Sequence, residues 1–361
     1  METLTNSVRI PFSGRVMRDG PHLVPHDMAF PSAMMSLKVL MGGQHRTHAL
    51  SAHGRSWRSD ADYYQHLGLS GEGFRFLFDT AEYFRFQEEE GAQPLLDCFA
   101  AEGIPVKAYA ARPVQGIEGT WRDEAQLMDL VLGTLKSGYP ALLLGRTGSD
   151  WTVLATGFEN GGETLVGWTF VPGADMSNKS FSPEDCQYIM DWSKGVDAAA
   201  LITGAPGEVK DREVLFRRGL KRGQRFLTQS ASHPHGEKTN FYDNWIRTLE
   251  DDSFFKAPFT GRPRIDPDIW DLAERRAFAA EFLEEAGQVL HTDVMAPASK
   301  ALHQIHDLMW KINSLCEGED AHAKLRDPAV RREIVSILNA CRDLDRKAAD
   351  VIEQASGEGN F

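Results

Sequence analysis

The side chains in this sequence that can do chemistry are scattered, and the groups that stand close together are carboxylates, aromatics and one arginine. Glu72 and Arg75 lie in GLSGEGFRFLFD, where Arg75 can hold a sulfate, phosphate or carboxylate. The commoner role of such an arginine is to pair with a neighbouring acid such as Asp79 or Glu82 and satisfy itself. Ser149-Asp150-Trp151 stands in a turn between two apolar runs, and Trp168 follows on the next run. The two tryptophans can wall a pocket or simply fill the core. Asp27 opens an apolar helical stretch directly after His26; helix starts and turns are the usual homes of aspartate, so Asp27 and Asp150 each have a structural reading beside a chemical one.

Several common chemistries find no pattern. Cys98, Cys186, Cys316 and Cys341 are far apart with no CxxC pair, which points to reduced, buried thiols. His303 and His306 share a helix face before Asp307, with His291 and Asp293 upstream and His233-x-His235 in a loop beside Lys238. The Glu-x-x-His pairing of a helical-bundle metal site is missing, so no metal is expected. GETLVG and GRTGSD match neither GxGxxG nor GxxxxGK[ST], and no nucleotide or other cofactor is expected.

The elements that must position these residues follow from periodicity and punctuation. GYPALLLG, WTVLATGFE and TLVGWTF are strand-like runs, the last two joined at Asn160-Gly161-Gly162, and together they read as an antiparallel core sheet. A first helix starts near Asp27, tolerates Pro31 in its first turn and stops at Gly42-Gly43. Helices are also expected at Ala61–Leu67, Phe84–Glu102, Asp123–Lys136 and Ser182–Trp192. Strands are expected at Gly68–Asp79, where Phe74, Phe76 and Phe78 alternate with other residues, at IPVKAYAA and at AAALITG. From Asp211 onward, five segments carry helix-period apolar residues, interrupted by the polar loop SASHPHGEKTN. The fold class is therefore α+β: a helix-plus-sheet domain over residues 1–210, a helical bundle or cap over 211–356, and a disordered tail at 357–361.

Composition narrows the partners. With 361 residues, 42% hydrophobic and 25% charged, the chain can bury a sizeable core. A net charge of -13 argues against nucleic acid, because phosphate binding rests on clustered Lys and Arg. No apolar stretch is long enough to span a bilayer. The N-terminus shows no positive start followed by an apolar core, so a soluble, cytoplasmic protein is expected.

Taken in order, GLSGEGFRF, GYPALLLG, WTVLATGFENGGETLVGWTF, NFYDNWIRTLEDD, RRAFAAEFLEEA and HQIHDLMWKI resemble bacterial proteins related to the N-terminal domain of butirosin biosynthesis protein H, from about Asp27 to about Ala355. That resemblance implies a papain-like, bacteriocin-processing-peptidase-like fold and a role in antibiotic or other natural-product biosynthesis. The family's founding member moves an aminoacyl group from a carrier protein to an aminoglycoside, by a thiol mechanism that needs a cysteine at the first helix start and a histidine before the core strand. This chain departs at both places, with His26-Asp27 at the helix start and Asp150 at the strand. In a papain-like fold His26, Asp27 and Asp150 converge, and two carboxylates in one partly dry cleft push one pKa up towards neutrality. Without a thiol, the implied chemistry is carboxylate acid/base catalysis of a cyclisation, elimination or group transfer on a small polar or anionic substrate. Asp27 or Asp150 acts as base, and Arg75 or His26 orients the anion. Two other functions stay open. One is a non-catalytic pseudo-peptidase that binds a small molecule or a partner subunit of a biosynthetic complex. The other is a carrier-dependent acyltransferase, with Arg217, Arg218, Lys221, Arg222 and Arg225 offering a basic face to an acidic acyl carrier protein.

Overall fold

The computed structural model describes residues 6–10, 29–44, 46–50, 57–76, 90–146, 149–170, 187–209, 211–228, 231–232, 238–239, 241–255, 265–316 and 321–357. The chain divides into two units, Met1–His66 with Ala81–Arg212 and Leu67–Thr80 with Glu213–Phe361. In the first, β1 (Val8–Arg9), α1 (Ala29–Leu40), β2 (Thr47–Leu50), β3 (Trp57–Asp60), α2 (Ala61–Ser70, as far as His66), α3 (Gln93–Ala101), β4 (Val106–Ala110) and β5 (Gly119–Thr120) come in order. Then follow α4 (Glu124–Lys136), β6 (Ala141–Arg146), β7 (Ser149–Glu159), β8 (Thr164–Phe170), β9 (Gln187–Met190) and β10 (Val196–Ile202). Among the described residues the main sheet has eight strands in the order β5-β4-β10-β6-β7-β8-β9, with β1 added alongside β7. It is mixed rather than purely antiparallel, since β4 and β5 run parallel.

Local chemistry explains why these segments form. Asp123 caps α4 by accepting from the Gln126 amide at 2.9 Å, and Glu124 and Lys136 sit at the helix ends that favour their charges. The β7–β8 connection places Asn160, Gly161 and Gly162 at φ 53°, 68° and 107°. At Gly162 a Cβ would lie 2.3 Å from Leu132 Cδ1, so both the turn and the approach of α4 demand glycine there. The Trp192 indole then donates to Gly162 O at 2.9 Å, tying the start of the β9–β10 loop to this turn.

Strand alternation gives the sheet two buried faces. Leu127, Val131, Leu132 and Leu135 of α4 cover one face, over Leu143, Val153, Ala155, Ala199 and Leu201. Leu142, Leu154, Trp168, Ala198 and Ala200 belong to the other and are equally buried. Helix α1 packs on β7 and β8, with Phe30, Ala33, Met34 and Leu37 buried.

The second unit takes Leu67–Ser70 and the turn after it, then α5 (Arg212–Thr228), β11 (Ala231–Ser232), β12 (Lys238–Thr239), α6 (Phe241–Glu250), α7 (Ile265–Val289), α8 (Ala296–Cys316), α9 (Ala321–Arg326) and α10 (Pro328–Gly357). Helix α8 packs along both α7 and α10, and α10 also meets α6. At Gly68 a Cβ would fall 2.0 Å from Phe282 Cγ, so the absence of a side chain lets that backbone lie directly on the phenyl ring of α7.

Four expectations need correction. Gly68–Phe76 is no strand: Gly68–Ser70 finish α2, and the chain folds back with Gly71 N bonded to Gly68 O and Gly73 N to Leu67 O, both at 3.0 Å. Phe74 and Phe76 are buried around a half-buried Arg75, so the alternation is real, but glycines 68, 71 and 73 make a turn cheaper than extension. Leu77–Asp79 lie outside the described residues. Instead of a helix, Gln187–Met190 form a strand, because β8 offers an open edge that pairs Thr164 with Met190 and Gly167 with Gln187; residues 182–186 are outside the described set. The helix expected from Phe84 begins at Gln93, after Gly91 at φ 56°, and residues 84–89 are not described. Within the polar loop, β11 and β12 make a short antiparallel pair. The first helix begins at Ala29 within the described residues, and α10 runs on to Gly357.

Candidate functional site

Helix α1 and strand β7 are the elements on which the expected catalytic residues depend. Asp150 is the second residue of β7, between the register pairs Arg146↔Ser149 and Leu144↔Thr152, and Trp151 follows it. Trp168 sits on β8 opposite Leu154 and is buried in the sheet. His26 and Asp27 lie outside the described residues, immediately before the described start of α1.

Glu72 and Arg75 lie in the helical unit, on the turn after α2. Arg75 Nη1 is 3.2 Å from Glu72 Oε1, and Arg275 Nη1 is 3.1 Å from Glu72 Oε2. Burial pushes the Glu72 carboxyl up, but Arg75 and Arg275 outweigh it and hold the group below the usual glutamate value. Arg275 also donates to Glu72 O at 2.6 Å and, through Nε, to both oxygens of Asp271 at 2.9 Å. Next to it, Arg276 grips Asp345 with two 2.8 Å bonds and donates to Gly73 O at 3.0 Å, while the Tyr242 hydroxyl donates to Asp345 at 3.0 Å. Arg222 donates to Leu69 O at 2.6 Å. Arg222 thus satisfies a carbonyl in the last turn of α2, as a helix C-terminus requires, and Arg275 and Arg276 satisfy carbonyls of the turn that follows. Arg222 is therefore buried; on the outer face of α5 only Arg218 and Lys221 of the expected basic group are exposed, with Arg217 and Arg225 half-buried.

A second polar group, in the sheet-bearing unit, has no counterpart among the expected residues. Lys38 of α1 bridges two carboxylates, at 2.7 Å from Asp62 Oδ1 and 3.1 Å from Glu102 Oε2. Arg46 reaches Asp62 with Nε and its main-chain N, both at 2.8 Å, and Gln65 with Nη2 at 2.7 Å. Gln65 in turn donates to Glu102 Oε1 at 3.2 Å. The His66 ring is fully buried, with Nε2 3.2 Å from the same Glu102 oxygen but off the line of a hydrogen bond, and among the described residues Nδ1 has no hydrogen-bond partner. Burial raises the Glu102 carboxyl, and His66 and Lys38 more than reverse this, leaving it below its ordinary value. Cys98, one helical turn before Glu102, donates to His66 O at 3.6 Å and is fully buried, an environment that keeps a thiol inert. Asp62, Gln65 and His66 fall at i, i+3 and i+4 of one helix, the only signal of this cluster in the sequence; Lys38, Arg46 and Glu102 reach it through the fold.

Cys98, Cys316 and Cys341 are buried thiols, and Cys186 is outside the described residues. His303 Nε2 approaches Glu281 Oε1 at 3.4 Å, His306 accepts from Trp310, and His291 takes φ 52° after α7. Among the described residues no group of three or more His, Cys, Asp or Glu side chains is arranged to hold a metal ion, and no helix is long and apolar enough to cross a membrane. No protein-family model matches the sequence, and no curated protein is significantly similar to it.

Proposed function

We propose that this chain is an enzyme of specialised metabolism that works without a thiol, using carboxylate acid/base chemistry for cyclisation, elimination or group transfer on a small polar or anionic substrate. Asp27 and Asp150 supply the base and acid, and His26 orients the substrate's anionic group. The observation that supports this reading is the packing of α1 on β7 and β8, because α1 starts two residues after Asp27 and β7 carries Asp150 as its second residue. A helix start and a strand start on one packed layer can bring two carboxylates to one cleft. Arg75 is assigned no substrate role in this proposal, since its partner is Glu72.

The test is metabolite profiling of the host carrying Asp27→Asn or Asp150→Asn, with the purified variants compared by thermal melting. The expected result is that one product is lost and its precursor accumulates, as when a general acid or base worth about 10²- to 10⁴-fold in rate is removed, while Tm moves by only a few degrees. Wild-type profiles for both variants would overturn the reading. A carrier-dependent transferase is the second reading, supported by exposed Arg218 and Lys221 on α5. It requires that Lys221→Glu weaken capture of an acyl carrier protein without shifting Tm.

A further inference from the structure

The turn between β7 and β8 holds Asn160-Gly161, the one Asn-Gly pair in the sequence, with both residues exposed. Asparagine followed by glycine carries its own reaction, because a residue without a side chain leaves its main-chain nitrogen open to the carboxamide before it. In this fold that nitrogen is held: Gly161 N donates to Asn6 O at 3.0 Å. Asn6 leads into β1, and β1 is fastened to the sheet along its length. Its register pairs Val8 with Phe158 and Arg9 with Gly157, where a Cβ on residue 157 would lie 2.3 Å from Val8 O. Ile10 N donates to Thr156 O at 2.8 Å. The Arg9 guanidinium donates to Glu159 Oε1 at 2.7 Å and to the Tyr188 hydroxyl at 2.6 Å, tying β1 to β7 and β9 beside the turn.

We infer that Asn160 is a site of spontaneous deamidation, and that β1 is the latch that sets its rate through the bond between Asn6 O and Gly161 N. The reaction balances with water alone. Gly161 N gives up its proton and attacks Asn160 Cγ; the N–Cγ bond forms, the Cγ–Nδ2 bond breaks, and ammonia leaves with that proton. Water then opens the cyclic imide at Cγ, giving aspartate, or at the main-chain carbonyl carbon of residue 160, giving isoaspartate with the chain rerouted through Cγ. An N–H held by a carbonyl oxygen resists the first step, since the nitrogen must release its acceptor before it loses the proton. Attack therefore requires a local opening in which the Asn6 segment leaves the turn. The products do not fit the turn in which they form. Either one adds a negative charge between Glu159 and Glu163. Isoaspartate also lengthens the main chain just before Gly162, which lies against Leu132 of α4 and accepts from the Trp192 indole at 2.9 Å. The inference rests on no part of the catalytic proposal above.

The test follows deamidation of the full-length protein in mildly alkaline buffer, with the urea-unfolded chain as reference. Product is read by mass spectrometry of the peptide carrying residues 160–161 and by isoaspartyl methyltransferase labelling. The folded wild type is expected to form product at Asn160 about tenfold or more slowly than the unfolded chain. Arg9→Ala, a change at an exposed position, should speed the folded-state reaction about two- to fivefold. Ile10→Pro, which removes the N–H given to Thr156 O, should speed it about tenfold. Neither change should alter the rate in urea, and Asn160→Gln should abolish the product. Far-UV circular dichroism checks that each variant is folded, and Arg9→Ala carries the test if Ile10→Pro is not. Equal rates in the folded and unfolded wild type would overturn the latch, as would a wild-type rate in the folded variants. Absence of product at Asn160 in the folded wild type and in both variants would overturn the site itself.

Discussion

In the helical unit each of three buried guanidinium groups reaches a main-chain carbonyl, Arg222 that of Leu69, Arg275 that of Glu72 and Arg276 that of Gly73. In the sheet-bearing unit Lys38, Arg46, Asp62, Gln65 and Glu102 bond mostly to one another's side chains, and Arg46 remains a third exposed. The first arrangement fixes the path of a glycine-rich turn, so its charges cannot rearrange without unfolding that turn. The second joins α1, α2 and the end of α3 through flexible side chains and lies against the buried His66 ring. Buried charge in one unit is main-chain scaffolding; in the other it is a cluster of side chains bonded to one another.

Breaking the scaffold should have the largest effect. Arg276→Met removes a two-bond grip and leaves Asp345 buried with only Tyr242, so urea unfolding of the full chain should show a loss of about 3–5 kcal/mol. A loss below about 1 kcal/mol would mean that the turn is held by packing alone. Substituting Asp62→Asn in the other cluster should cost less, roughly 1–3 kcal/mol, because Lys38 and Arg46 retain partial access to water. If Asp62→Asn proved as damaging as Arg276→Met, the contrast between the two regions would fail.

Acid should sharpen the comparison. Glu72 and Glu102 have folded-state pKa values below their unfolded values, so the unfolded chain takes up protons first as pH falls. Their contribution is present above the ordinary glutamate range and is lost as pH drops through the folded values. Asp345, raised by burial, acts with the opposite sign: its contribution is full below the ordinary aspartate range and is lost as pH rises through its folded value. Glu72→Gln and Glu102→Gln should each flatten the fall in stability between neutral and acidic pH, measured by urea midpoints. Unchanged slopes would remove these carboxylates from the account. The smallest effect belongs to the surface: Lys194→Ala, which breaks an open pair with Asp191, should change stability by less than about 0.5 kcal/mol.

Much of the sheet-bearing unit was legible from local signals. The alternation of WTVLATGFE and TLVGWTF around Asn160-Gly161-Gly162 specifies a hairpin because only glycine and asparagine readily take three successive positive φ values. The Asp123 cap and Gly138 likewise bound α4, and helical periodicity marked the segments after Asp211. Less of the site was legible. Trp168 could be assigned to a strand, but Asp150, expected in a turn, is the second residue of β7, and the link between Lys38, Arg46, Asp62 and Glu102 spans 64 residues of sequence and follows no period.

By itself, then, the sequence determined which segments are helices and strands where periodicity and punctuation agree. Tertiary structure decided the rest. It turned Gly68–Phe76 from an apparent strand into a clamped turn, because arginines from α5 and α7 satisfy carbonyls that a strand would have paired with a neighbour. It made Gln187–Met190 a strand because β8 had an edge to fill. Trp270 and Trp310, forty residues apart, became neighbours through the pairing of α7 with α8. In each case the partner lies far along the chain, and a hydrogen bond or ring contact made across that distance leaves no trace in local periodicity.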